Sequence, residues 1–263
     1  MYSIARWFAN ASSVLVAAAF FVAPQVAVRF PDEKGLVLSC VAAGIALLAL
    51  SAGLASASRL PFAGALRLAT APALFAVAGF GCFLIVGSEL PRLAVATVVG
   101  AILVLYFSQL EMAMPWVAKV SMGQFLHLLH AVHTMTVFFA FAFAYGIIQY
   151  SDIPTWVMAL AMTVLTGTVA WQTLPFAEAS DDRLVRPVLA AAFALIGGQL
   201  YLAFSFLPTL WTVNAASAAV LCAVSLHICR QIADGDAVPV RNRRDLAVAV
   251  ALVMLVLGTA RWN

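Results

Sequence analysis

The stretch LAVATVVGAILVLYFSQL, residues 93–110, holds no charged side chain and shows no alternation of polar and apolar positions. A strand with one wet face would alternate with a period of two, so a run this long and uniformly apolar reads as a helix buried on all sides. Similar runs fill the chain. Of its 263 residues 65% are hydrophobic and 10% charged, and the mean hydropathy is +1.04. A water-soluble domain of this length has too little interior to hide so much apolar surface, so the expected solvent is lipid.

A bilayer core about 30 Å thick takes roughly 20 apolar residues per helix, and backbone amides inside it must bond to one another. Breaks at charges, prolines and polar clusters divide the sequence into nine predicted spans: 11–28, 35–57, 68–87, 93–110, 121–149, 154–174, 184–207, 209–229 and 245–261. The expected fold is therefore all-α, a polytopic transmembrane bundle forming one integral-membrane domain over residues 1–263, with no soluble domain. Arg6 followed by an apolar run also fits a secretory signal peptide, but the segment is expected to remain as the first membrane helix.

Charge orients the bundle. With nine spans, one side receives Arg6, Arg59, Arg67, Lys119, Arg183, Arg186, Arg230, Arg241, Arg243 and Arg244, and the other Arg29, Lys34, Arg92 and Arg261. Ten against four predicts a cytoplasmic amino terminus and an external carboxyl terminus in a bacterial-type inner membrane. The net charge of +3 is thus a topology signal, and no nucleic-acid surface is expected.

Several chemistries lack their residues. The acidic side chains all map to loops or helix ends, whereas ion-coupled transport favours a carboxylate at mid-membrane. HExxH, GxSxG and P-loop patterns are missing, as is CxxC. Asp181-Asp182 reads as helix capping ahead of metal binding. Cys40 and Cys82 map near the same face, where a disulfide is geometrically open, although packing is the ordinary role. Small residues, as in Ala42-Ala43-Gly44, Gly79-Phe80-Gly81 and Gly197-Gly198, read as close helix contacts.

The chemically suggestive motif is HLLHAVHTMT, residues 127–136. At about 100° per residue, Gln124, His127, His130, His133 and Thr134 fall within half the circumference of the fifth helix, forming a polar seam. His227, near the inner end of the eighth span, completes a set of four histidines in the inner half of the membrane. The preferred reading is an interfacial seam that bonds to neighbouring helices, water or a membrane-protein partner. Two alternatives stay open. His127, His130 and His227 could ligate a haem or a transition metal for electron transfer, though spacing of i, i+3, i+6 drifts around the helix. A small-molecule or lipid transport path could also run beside the fifth helix. Gln199 and Asn214 form a second polar group, expected to hydrogen-bond across the hairpin at Pro208.

Gln199-Leu200-Tyr201-Leu202-Ala203-Phe204-Ser205-Phe206-Leu207-Pro208, followed by Val213-Asn214 and by Thr259-Ala260-Arg261-Trp262, resembles an uncharacterised family of multi-pass membrane proteins from candidate-phylum bacteria. The resemblance covers the C-terminal third of the chain. It implies a polytopic bacterial membrane protein and supplies no activity, cofactor or site residue. The expected function is that of a non-catalytic accessory, scaffold or partner-binding component surrounded by the lipid bilayer, with no cofactor.

Overall fold

A computed structural model describes residues 2–58, 60, 62–113, 119–174, 185–233 and 240–259. Arg59, Asp181, Asp182, Arg183, Arg261 and Trp262 lie outside the described residues, as do the side chains of Glu111, Lys119, Gln124, Arg241, Arg243 and Arg244. Among the described residues the chain is all-helical, with nine α-helices in the order of the nine predicted spans. These are α1 (Tyr2–Arg29), α2 (Lys34–Ser56), α3 (Phe62–Ile85), α4 (Glu89–Ala113), α5 (Lys119–Ile148), α6 (Thr155–Thr173), α7 (Val185–Ser205), α8 (Trp211–Ala233) and α9 (Val240–Thr259).

Prolines punctuate the chain where their missing N–H costs least. Pro91 and Pro187 stand in the first turns of α4 and α7, and Pro154 immediately precedes α6. Pro24 and Pro72 are different, lying inside α1 and α3. An interior proline deprives the carbonyl four residues earlier of its helical donor. For Pro72 that carbonyl belongs to Leu68, and the Tyr106 hydroxyl donates to it from α4 at 2.8 Å. Tyr106 is fully buried, with its ring against Phe107 and Phe125.

Seven helices among the described residues, α1 to α5, α7 and α8, are long and apolar enough to cross a membrane. The nine predicted spans exceed this by α6 and α9. Five threonines and Gln172 dilute α6, and Arg241, Arg243, Arg244 and Asp245 occupy the first turns of α9. The α6 hydroxyls turn inward on the helix: Thr163, Thr166 and Thr168 donate to the carbonyls of Ala159, Met162 and Val164 at 2.7–2.8 Å. Large apolar side chains face outward along the chain, among them Trp7, Val14, Leu47, Leu160, Val164, Leu195 and Met254. Water would penalise such a surface and lipid does not. The protein is membrane-integral.

The chain divides into two compact units, Met1–Thr136 and Val137–Asn263. In the first, α1 packs on α2 and α4, and α3 on α2 and α4. Its core includes Phe20, Phe75, Phe80 and Phe83, with the Phe20 ring 5.2 Å from Phe80 and 5.4 Å from Phe83. In the second, α6 packs on α7, α7 on α8 and α8 on α9. Small residues set the close approaches. A Cβ added at Gly53 would meet the Ala69 Cα at 2.7 Å, and one at Gly167 the Ala194 Cβ at 2.9 Å. Gly197 and Gly198 abut Thr166 and Thr163 so closely that a methyl at either has no room. These two serve the packing role expected from the sequence. Gly44 has nothing within 4 Å of its added Cβ, so close packing does not account for it.

Two substitutions test these assignments by unfolding in detergent micelles. Tyr106→Phe is expected to cost about 1–2 kcal/mol by stranding the Leu68 carbonyl, and much less in a Pro72→Ala background, where residue 72 regains its N–H. Gly197→Val is expected to destabilise by about 1–3 kcal/mol through overpacking, with Gly44→Val near neutral. Equal effects of the two valines would contradict the packing described.

Candidate functional site

The predicted polar seam lies on α5, but its members meet different surroundings. His127 is exposed, His130 and Thr134 are half-buried, and His133 is only 1% exposed. The Gln124 side chain lies outside the described residues. Helical geometry explains the spread: His127 and His133 stand about 120° apart around the axis, so a seam half a circumference wide cannot present all of its imidazoles in one direction. His130 and His133 each interact with other groups of the protein.

His227 belongs to the second unit and is exposed on α8, with its Nε2 2.9 Å from the side-chain amide of Gln231, one turn away. Among the described residues no three His, Cys, Asp or Glu side chains gather as a metal-binding group. All four cysteines are free. Cys40 is exposed, whereas Cys82, Cys222 and Cys229 are buried. The sequence left a Cys40–Cys82 bridge open, and the structure does not form it.

The second polar group is also rearranged. Asn214 is buried, accepting a hydrogen bond at Oδ1 from the Thr209 hydroxyl and donating through Nδ2 to the Leu207 carbonyl at 3.4 Å. It stands in the first turn of α8, where an amide reaches the turn that leads into its own helix more readily than the far strand of the hairpin. Gln199, the partner expected from the sequence, is exposed instead. It makes no hydrogen bond among the described residues. Its neighbours at helical spacing, Leu195, Leu202 and Phe206, are exposed and apolar, so Gln199 interrupts an oily outward stripe.

Tyr201 and Tyr145 form a reciprocal clamp between α7 and α5. The Tyr145 hydroxyl donates to the carbonyls of Leu200 and Tyr201 at 3.3 and 3.1 Å, and the Tyr201 hydroxyl to that of Ala144 at 3.4 Å. The rings stack 4.8 Å apart, with Phe141 beside both. Arg186, counted from sequence among the flanking charges, is buried. Its Nη2 donates to the carbonyl of Trp171 near the end of α6, and its guanidinium lies 4.3 Å from the Trp171 ring centroid. The cation thereby meets one of the carbonyls a helix end leaves unbonded.

A groove that the sequence reading did not find lies in the first unit, where α1 and α3 end and α4 begins. It has a volume of about 590 Å³ and is lined by Phe21, Gln25, Phe83, Glu89, Arg92 and Leu93, among others. Phe83 is held edge-on by Phe21 at 5.6 Å. Arg92 donates through Nε to the Val86 carbonyl at 2.6 Å, with its guanidinium carbon 5.8 Å from the centre of the Phe83 ring. Glu89, one turn earlier, is exposed and does not pair with it. The available signal was Gln25 beside Pro24 in an apolar run. Glu89-Leu90-Pro91-Arg92 reads equally well as a helix boundary, and nothing local says the two segments meet.

Comparison with protein-family models, curated proteins and solved structures finds no match for this chain.

Thiol chemistry checks the cysteine assignment. The native protein in micelles is expected to react with N-ethylmaleimide first at Cys40 and to release the other three thiols only on denaturation, with no change on adding reductant. Fewer than four thiols in the denatured, unreduced chain would contradict it.

Proposed function

We propose that this chain is a non-catalytic component of a bacterial-type inner membrane that binds another membrane protein through an outward helix face. The ten-to-four division of basic residues supports an amino terminus in the cytoplasm and a carboxyl terminus outside. The observation that carries the partner-binding reading is Gln199. It stands six residues before the end of α7, about 9 Å along the axis, on a stripe otherwise fit for acyl chains. A primary amide there has two donors and an acceptor that lipid tails leave unmet. Interhelical amide bonds in membranes contribute about 0.6–2 kcal/mol, so a neighbouring transmembrane helix that bonds Gln199 gains both affinity and register. His127, exposed within the span of α5 and without a hydrogen bond among the described residues, supports the same reading on the first unit.

The test is photo-crosslinking in the native host, with a benzophenone amino acid at position 202 and, as a control, at the exposed position 160 of α6. An adduct with one defined membrane protein is expected from position 202 and not from 160. Gln199→Leu is expected to lower its yield about threefold to tenfold, the change that ~0.6–1.4 kcal/mol produces. Equal labelling at the two positions, or a yield indifferent to Gln199→Leu, would remove the support for this reading.

A further inference from the structure

The groove of the first unit is graded by depth. Glu89 opens α4 and Arg92 follows in its first turn, while Gln25 lies four residues before the end of α1. Phe21 and Leu93 are each one turn farther from those helix ends, and Phe83 lies on α3 two residues before its end. At about 1.5 Å per residue, Glu89, Phe83 and Arg92 lie within about 5 Å of their helix ends, Gln25 and Leu93 about 6 Å in and Phe21 about 12 Å in, so the charges stand near the rim and the deepest wall is apolar. A membrane phospholipid has the same order of polarity.

The two rim charges are also available. Arg92 uses its Nε on the Val86 carbonyl and lays one face toward Phe83, leaving both Nη nitrogens without a partner among the described residues. Such a tethered guanidinium presents its remaining donors as a fork suited to phosphate oxygens. Glu89 and Arg92 are i and i+3 on one helix, about 5–6 Å apart at Cβ, yet they do not bond to each other. A ligand carrying phosphate and ammonium on a two-carbon linker spans a comparable distance and meets both charges together. We infer that this groove is a binding site for a phospholipid of the phosphatidylethanolamine type, with its phosphate on Arg92, its ammonium on Glu89 and its acyl chain along Phe21, Phe83 and Leu93.

The test uses the full chain, delipidated in detergent micelles and titrated with short-chain phosphatidylethanolamine, phosphatidylglycerol or inorganic phosphate. Native mass spectrometry reads retained lipid, and thermal unfolding reads stabilisation. Phosphatidylethanolamine is expected to be retained about tenfold more tightly than phosphatidylglycerol, a difference of about 1.4 kcal/mol. Glu89→Gln, a change at an exposed side chain, is expected to erase that preference, and Arg92→Gln to weaken both lipids. Arg92→Lys should recover part of the binding if charge and not fold was lost. Equal retention of the two lipids by the unaltered protein would overturn the inference. So would a preference that survives Glu89→Gln, or inorganic phosphate stabilising the chain as well as the lipid does.

Discussion

The hydrogen bond from Tyr106 to the Leu68 carbonyl expresses the constraint on which the rest of this molecule depends. Hydrocarbon supplies no donors, so a backbone group that loses its helical partner must find another within the protein. Pro72 creates that debt in α3, and a buried tyrosine one helix away meets it. The same rule binds polar side chains, which must find acceptors inside the protein. Arg186 reaches a carbonyl near the end of α6. Tyr145 and Tyr201 reach carbonyls on each other's helices. Along α6 the threonines bond to carbonyls one turn back, which hides their hydroxyls without a second helix.

Such bonds need helices close together, and closeness comes from small side chains. Lipid tails compete with leucine on equal terms, so apolar burial alone gives two membrane helices little reason to associate. Where Gly167, Gly197 and Gly198 meet Ala194, Thr166 and Thr163, backbone approaches side chain with no Cβ between them. That seam joins α6 to α7, the same pair bridged by Arg186 and Trp171. Dispersion and hydrogen bonding therefore act on one interface, and α6 does not depend on an apolar exterior to be held there.

The positions of all nine helices were legible in the sequence because they depend on run length and on charges and prolines at the joints. Among the described residues seven of the nine are long and apolar enough to cross on length and composition alone; the threonine-rich α6 and the arginine-led α9 are marked by position more clearly than by hydropathy. Azimuth was hardly legible at all. In α2 the buried Ile45 and the exposed Leu47 are equally apolar, so hydropathy does not mark which face packs. The histidine seam shows the limit most plainly. Its helix and its half-circumference could be drawn in advance, but the neighbours that bury His133 and leave His127 outside are set by tertiary packing. The groove depends on residues more than sixty positions apart, and Arg186 was indistinguishable from an ordinary flanking charge until Trp171 was placed beneath it.

Polar residues in this chain thus separate into those already satisfied and those that are not, and depth separates the second group again. Tyr106, Tyr201, Arg186 and Asn214 have their partners inside the protein, so their chemistry is spent on the fold. Among the described residues Glu89, Arg92 and Gln199 retain unused bonding capacity. The first two begin a helix, within reach of headgroups, and a lipid can meet them with charges of its own. Gln199 lies more than a turn inside its helix, where a headgroup must leave the interface to reach it but another transmembrane segment need not. One rule, that no polar group in hydrocarbon stays unmet without cost, is what both proposals rest on, the lipid for Glu89 and Arg92 and the membrane-protein partner for Gln199.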